Sequence, residues 1–165
     1  MRISIIPVLV SVLFSSSCFA IPAPEVIQSC RESKAIEGVT KTNIDGFGFA
    51  YDYSDHCGTK YYSNVDGKEV AYLGCDDENF FIINGVKIPI AYSENLSQNP
   101  NFGPYSIMPN MSNWSKIVFD KVEYICIASS ISDTGKGRSH EQYYLIENPF
   151  EGFSSSAYYL YFDKE

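Results

Sequence analysis

The chain is short of positive charge, of histidine and of long apolar runs. Lys and Arg total 12 against 20 Asp and Glu, and only three of the 12 are arginine. A formal charge of −8 argues against nucleic acid and anionic membrane surfaces as partners, since both need clustered Lys and Arg. The two histidines, His56 and His140, sit in no GxSxG, HExxH or papain-like context. No CxxC pair exists, so a zinc site lacks its usual framework, and neither metal nor cofactor is expected. The most apolar stretch, Ile3 to Phe14, is broken by Pro7 and is too short for a ~30 Å hydrocarbon core, which excludes membrane insertion through it. No repeat, low-complexity tract or linker divides the chain.

What is present begins with an export signal. Arg2, the apolar run and "SSSCFA" read as a secretory signal over residues 1–20, cleaved after Ala20. Cys18 as a lipid acceptor is the alternative, although Ser15 stands where a lipobox usually has leucine. Residues 21–165 then form one domain. Cleavage removes only Arg2 of the basic residues and none of the acidic ones, leaving 11 against 20 and a formal charge of −9. That charge suits a basic protein or enzyme as partner, or else a merely solvated surface. Scarce arginine with abundant Ile, Lys and Asn fits an AT-rich bacterial genome, so the expected address is the periplasm or the exterior. Asn-x-Ser sequons stand at Asn95, Asn110 and Asn113. Nothing signals an oligomeric state.

Four cysteines follow the signal: Cys30, Cys57, Cys75 and Cys126. An even count behind an export signal predicts two disulfides. The segment Glu25 to Glu37 offers one helix, stopped by Gly38. Everything after it consists of short β-branched and aromatic runs: "GFGFAYDY", "TKYYSNV", "EVAYLGC", "NFFII", "VKIPIAYS", "SKIVFDK", "VEYICIASS", "QYYLIEN" and "AYYLYF". Such runs, punctuated by Gly, Asn and Asp, predict a mainly β fold. The expected architecture is an antiparallel sandwich or small barrel built as a meander, with one short N-terminal helix.

Two turns set register. In "FFIINGVKIPI", Asn84-Gly85 suits a type I′ hairpin that pairs Ile83 with Val86 and Phe81 with Ile88. Pro89 lacks an N–H and marks that strand as a sheet edge. In "SNVDGKE", a type I turn with Gly67 in a following bulge predicts a three-residue loop with Asn64 opposite Lys68. That register puts Cys57 opposite Cys75 and leaves Cys30 for Cys126, whereas a two-residue loop at Asp66-Gly67 puts Cys57 and Cys75 on opposite faces.

The one basic, glycine-rich stretch is "SISDTGKGRSHEQYY". It lacks the glycine spacing and the Ser/Thr of a P-loop, and a strand pattern rather than a helix follows it. It reads as an exposed turn joining the strand around Tyr124–Ser129 to that around Gln142–Ile146, with Lys136, Arg138 and His140 as candidate partner contacts. "SDHCG" sets Asp55, His56 and Cys57 side by side, but neighbours on an extended chain point to opposite faces, and Cys57 is needed for a disulfide. Replacing both histidines with glutamine is therefore expected to leave activity within a few-fold; a loss of a hundredfold or more indicates acid–base catalysis instead. "DDEN" at Asp76–Asn79 lacks the ligand alternation of a calcium loop and reads as a turn. The long stretch around residues 94–114 reads as a loop pinned to the core by Trp114. The function these features favour is a secreted or periplasmic, non-enzymatic binding protein of inhibitor or immunity type, aimed at a cell-wall-active or toxic enzyme. The alternative is a small secreted hydrolase using dispersed carboxylates.

Overall fold

The computed structural model describes residues 21–51, 56–97, 99, 101–132, 140–152 and 155–162. One helix, α1 (Pro24–Glu32), precedes β1 (Thr40–Ile44), β2 (Gly48–Tyr51), β3 (Cys57–Val65), β4 (Lys68–Cys75), β5 (Asn79–Ile83), β6 (Val86–Pro89), β7 (Glu94–Asn95), β8 (Ser112–Phe119), β9 (Val122–Ser130), β10 (Glu141–Glu147) and β11 (Ser156–Tyr161). The strands form a six-stranded sheet ordered β1-β8-β9-β10-β11-β7 and a five-stranded sheet ordered β2-β3-β4-β5-β6. Neither closes on itself, so the fold is the sandwich and not the barrel.

Each of the nine expected runs contains a strand, although Ile90–Tyr92 in "VKIPIAYS" forms a 3-10 turn, and each sheet contains a meander, β2 to β6 and β8 to β11. Two strands escape the sequence pattern. β1 is "TKTNI", polar except for Ile44, and it pairs with β8 from Thr40↔Val118 to Ile44↔Trp114. β7 is two exposed residues running parallel to β11.

The two sheets bury a common core. Val70, Phe81 and Ile83 of the second sheet meet Trp114, Ile125, Ile127, Tyr144, Ile146 and Tyr159 of the first. The opposite face of the first sheet carries α1: Val26 and Cys30 pack with Ile117, Cys126, Leu145 and Tyr158. β9, β10 and β11 are therefore covered on both faces, which explains why their sequences run apolar or aromatic without polar alternation.

α1 starts on Pro24 in its first turn, carries Glu25 near its N-terminus and Arg31 near its C-terminus, and ends at Ser33 with φ 52°. The helix ends five residues before the expected Glu37. Ser33 turns left-handed, its N–H bonds the Cys30 carbonyl at 3.3 Å, and Ser29 Oγ donates to the Lys34 carbonyl at 2.7 Å. These bonds satisfy carbonyls that further turns of helix would have used. Gly38, at φ 77°, lies beyond the helix and leads into β1.

Both disulfides form as expected, Cys30–Cys126 with Cα atoms 5.7 Å apart and Cys57–Cys75 at 3.8 Å. The reason for the second differs from the expected one. Val65 pairs with Lys68, so the loop is the two residues Asp66-Gly67, with φ 53° and 77° as a type I′ turn requires. That register holds as far as Lys60↔Leu73. There Gly58 and Thr59 together face Gly74, a β-bulge that shifts pairing by one residue and returns Cys57 to a position opposite Cys75. The Asn84-Gly85 hairpin has the expected register, and β6 with Pro89 is a sheet edge.

Tyrosine is the dominant core aromatic. Burial pushes the Tyr124 and Tyr158 hydroxyls up to about 12, with the nearby Glu147 carboxylate adding to both. Burial also raises Tyr72, Tyr143, Tyr144 and Tyr159, with Glu141 adding to Tyr143. A pKa raised by folding means stability fully present below the unfolded tyrosine value of ~10 and lost as pH climbs through the folded value. Ultraviolet titration of the native protein at about pH 11 is expected to leave Tyr124, Tyr143, Tyr144, Tyr158 and Tyr159, five of the 13 tyrosines, largely un-ionised, and denaturant to release them. Ionisation of all 13 in one step near pH 10 contradicts this packing.

Candidate functional site

The basic stretch connects β9 to β10. β9 and β10 pair without interruption from Glu147↔Tyr124 to Glu141↔Ser130, and the Ile131 N–H adds a further bond to the His140 carbonyl at 3.0 Å. The hairpin is buried on both faces and joined to α1 through Cys126.

The segment 101–108 is laced to the same end. Met108 N–H donates to Ser129 Oγ at 3.0 Å, Gln142 Nε2 donates to the Ser106 carbonyl at 3.0 Å, and Tyr144 Oη donates to the Tyr105 carbonyl. Ile107 is buried, and Phe102 stacks on Tyr161 with ring centroids 4.0 Å apart. This long loop is thus fixed by polar side chains of β9 and β10, a feature that no local pattern in its sequence announces. Trp114 is buried at its end against Phe47 and Phe81, and its Nε1 donates to Ser112 Oγ.

Of the three expected contact residues, Lys136 and Arg138 lie outside the described residues. His140 closes the base of the loop, where its Nδ1 is 3.1 Å from Tyr161 Oη. That contact fixes the ring against the sandwich end and gives His140 a supporting position as well as partial exposure.

The other sequence candidates take structural roles. His56 is exposed at φ 58°, and its carbonyl accepts the Asp76 N–H at 3.1 Å beside the Cys57–Cys75 bridge. With Cys57 in a disulfide, no thiol is free for the neighbouring histidine to activate, and Asp55 lies outside the described residues. Asp76 and Asp77 form the bend between β4 and β5, and Asn79 Oδ1 accepts Tyr72 Oη at 3.1 Å. Among the described residues no three His, Cys, Asp or Glu side chains gather as a metal would need. The amide of Asn95 is engaged at both ends, donating to the Phe102 carbonyl and accepting the Ser97 N–H, while Asn110 and Asn113 are exposed.

A feature the sequence did not indicate is the mouth between the sheets at β1. A cleft of about 410 Å³ is lined by Thr42, Asp45, Asn64, Asp66 and Lys116. A second, of about 390 Å³, includes Lys41, Asn43, Phe47 and Asn113. Lys116 reaches across from the first sheet to the Asp66 carboxylate at 2.7 Å and also holds Glu123 at 2.6 Å. The Lys116 ammonium holds the Asp66 carboxyl below its usual range, first through the hydrogen bond and then through charge. Glycoside hydrolysis needs one carboxyl raised so that it can serve as the acid, and the shift on Asp66 runs the other way. This ion pair clasps the two sheets instead.

No family model, curated protein or solved structure matches the chain.

Proposed function

We propose that this chain is an exported, non-enzymatic binding protein of inhibitor or immunity type, and that its partner is a basic enzyme active on the cell wall or toxic to the cell. The observation that carries the reading is the β9–β10 hairpin. Its strands are in register up to Ile131 and His140, they are buried on both faces, and residues 105–108 brace them from the side. A loop carried on such a base loses little entropy at its ends when a partner immobilises it, which is why binding residues collect on loops held by rigid sheets. Lys136 and Arg138 put two cations on that connection, on a protein of net −8. The surrounding acidity steers a basic target, and the two cations are suited to its acidic active-site groups. Two disulfides and the export signal over residues 1–20 fit an oxidising compartment, the periplasm or the exterior. Residues 1–20 lie outside the described residues.

The test begins with capture from the producing organism and its competitors, followed by the double change Lys136→Ala with Arg138→Ala. The melting temperature is expected to hold, since loop changes away from packed features cost within ~0.5 kcal/mol. Affinity for the captured enzyme is expected to fall at least tenfold, about 1.4 kcal/mol. Unchanged affinity removes the loop from the interface. The hydrolase reading retains one specific support, the presence of Asp45 and Asp66 in one cleft. A hydrolytic activity abolished by Asp45→Asn with Asp66→Asn would establish it in place of the binder.

A further inference from the structure

Most cations among the described residues are already matched. Lys34, Lys60 and Lys116 hold carboxylates at 2.6–2.8 Å, and Arg31, Lys68 and Lys87 lie over the rings of Phe162, Phe150 and Phe80. Lys121 is exposed in the turn between β8 and β9. Lys41 differs from all of these. It is half-buried, and its Nζ donates to the Asn43 amide oxygen at 2.9 Å, with no carboxylate or ring against it among the described residues. Burial holds its ammonium below the usual lysine range. Lys41 and Asn43 stand opposite Ile117 and Ser115 of β8, so they lie on the α1 side of the first sheet, near the helix end at Ser33. There they line the cleft of about 390 Å³ together with Asp45 and Asn113. Asp45 is exposed and has no cation partner among the described residues. The backbone at this corner is fixed. The Asp45 carbonyl accepts Ser63 Oγ at 2.6 Å, Gly46 turns the chain at φ 72°, and Phe47 packs on Trp114 with ring centroids 5.2 Å apart.

We propose that this cleft binds a small zwitterion, a free amino acid or a dipeptide, with its carboxylate on Lys41 and its ammonium on Asp45. Both contacts are charge-assisted hydrogen bonds, the stronger kind, and the amides of Asn43 and Asn113 offer neutral donors and acceptors to the remaining polar atoms. Two features select this class of ligand. A carboxylate brought to Lys41 supplies the opposite charge that its half-buried position lacks. The net charge of −8 disfavours a ligand that is anionic overall, and Lys41 disfavours one that is only cationic. A molecule carrying both charges is penalised by neither. The volume lies near the lower end of the ~300–1,000 Å³ of small-molecule sites, which suits a ligand of this size. The cleft shares no residue with the connection between β9 and β10, so its ligand is separate from the protein partner proposed for that loop.

The probes are alanine and alanyl-alanine, each compared with its N-acetylated and its C-amidated form, and titrated into the labelled protein by nuclear magnetic resonance. Saturable shifts are expected at the amides of residues 41–47 and 112–114. Whichever of the two probes binds more tightly identifies the ligand as the amino acid or the dipeptide, and either result upholds the proposal. Amidation and acetylation are each expected to weaken binding at least tenfold. Lys41→Gln is expected to cost as much and to abolish the effect of amidation, and Asp45→Asn to do the same for acetylation, since each pair removes one contact from opposite sides. Both side chains lie at the surface, so both variants are expected to melt within a few degrees of the parent. Absence of saturable shifts at millimolar probe overturns the assignment. So does equal binding by either variant, or the same shifts produced by acetate or methylammonium alone.

Discussion

Replacing Cys30 and Cys126 together by alanine is expected to cost about 4–5 kcal/mol, read as a shift in the urea midpoint under non-reducing conditions. The bridge closes a separation of 96 residues, so cutting it returns a large amount of loop entropy to the unfolded chain. It also releases α1 from β9, where Cys30 is 1% and Cys126 2% exposed. A domain with a total stability of ~5–15 kcal/mol is left close to its threshold by such a loss. The Cys57–Cys75 bridge closes only 18 residues, and its removal is expected to cost about 3 kcal/mol. A midpoint less affected by the long-range pair than by the short one would contradict the chain-entropy account. Peptide mapping without reductant gives the two pairings directly.

Phe81→Ala is expected to be nearly as damaging, at about 3–5 kcal/mol. Phe81 belongs to β5 in the second sheet, is completely buried, and packs edge-on to Tyr144 at 5.0 Å and Trp114 at 6.0 Å, both in the first. Truncation removes the ring that joins the two sheets and leaves a cavity that β strands cannot collapse to fill. Phe49→Ala provides the internal comparison. With 66% of its surface already in water it is expected to change stability by no more than about 0.5 kcal/mol. Equal costs at the two positions would mean that the sheets do not pack face to face through Phe81.

The features legible in the sequence are those set by neighbours along the chain. Alternating and aromatic runs gave nine of the strands, because a half-buried pleated strand needs that pattern locally. Asn84-Gly85 set its hairpin register, because two adjacent residues must accept positive φ and few pairs do so cheaply. Pro89 marked an edge through its missing N–H.

Tertiary structure decided the rest. Asp66-Gly67 is the tighter turn, and Cys57 still meets Cys75 only because Gly58 and Thr59 bulge against Gly74. A bulge is a mismatch between two strands, and neither strand's own sequence carries it. β1 exists because the edge of β8 has unpaired backbone groups, which a polar "TKTNI" satisfies as well as an apolar run. The segment before Trp114 is held by Tyr144, Gln142 and Ser129, residues that follow it by more than 20 positions in the chain. Phe49 and Phe81 both stand in short aromatic runs that read as strands, yet one is exposed at β2 and the other is buried at the centre. The pattern of a strand says which side chains share a face, and only the second sheet laid against it decides which of those faces loses its water.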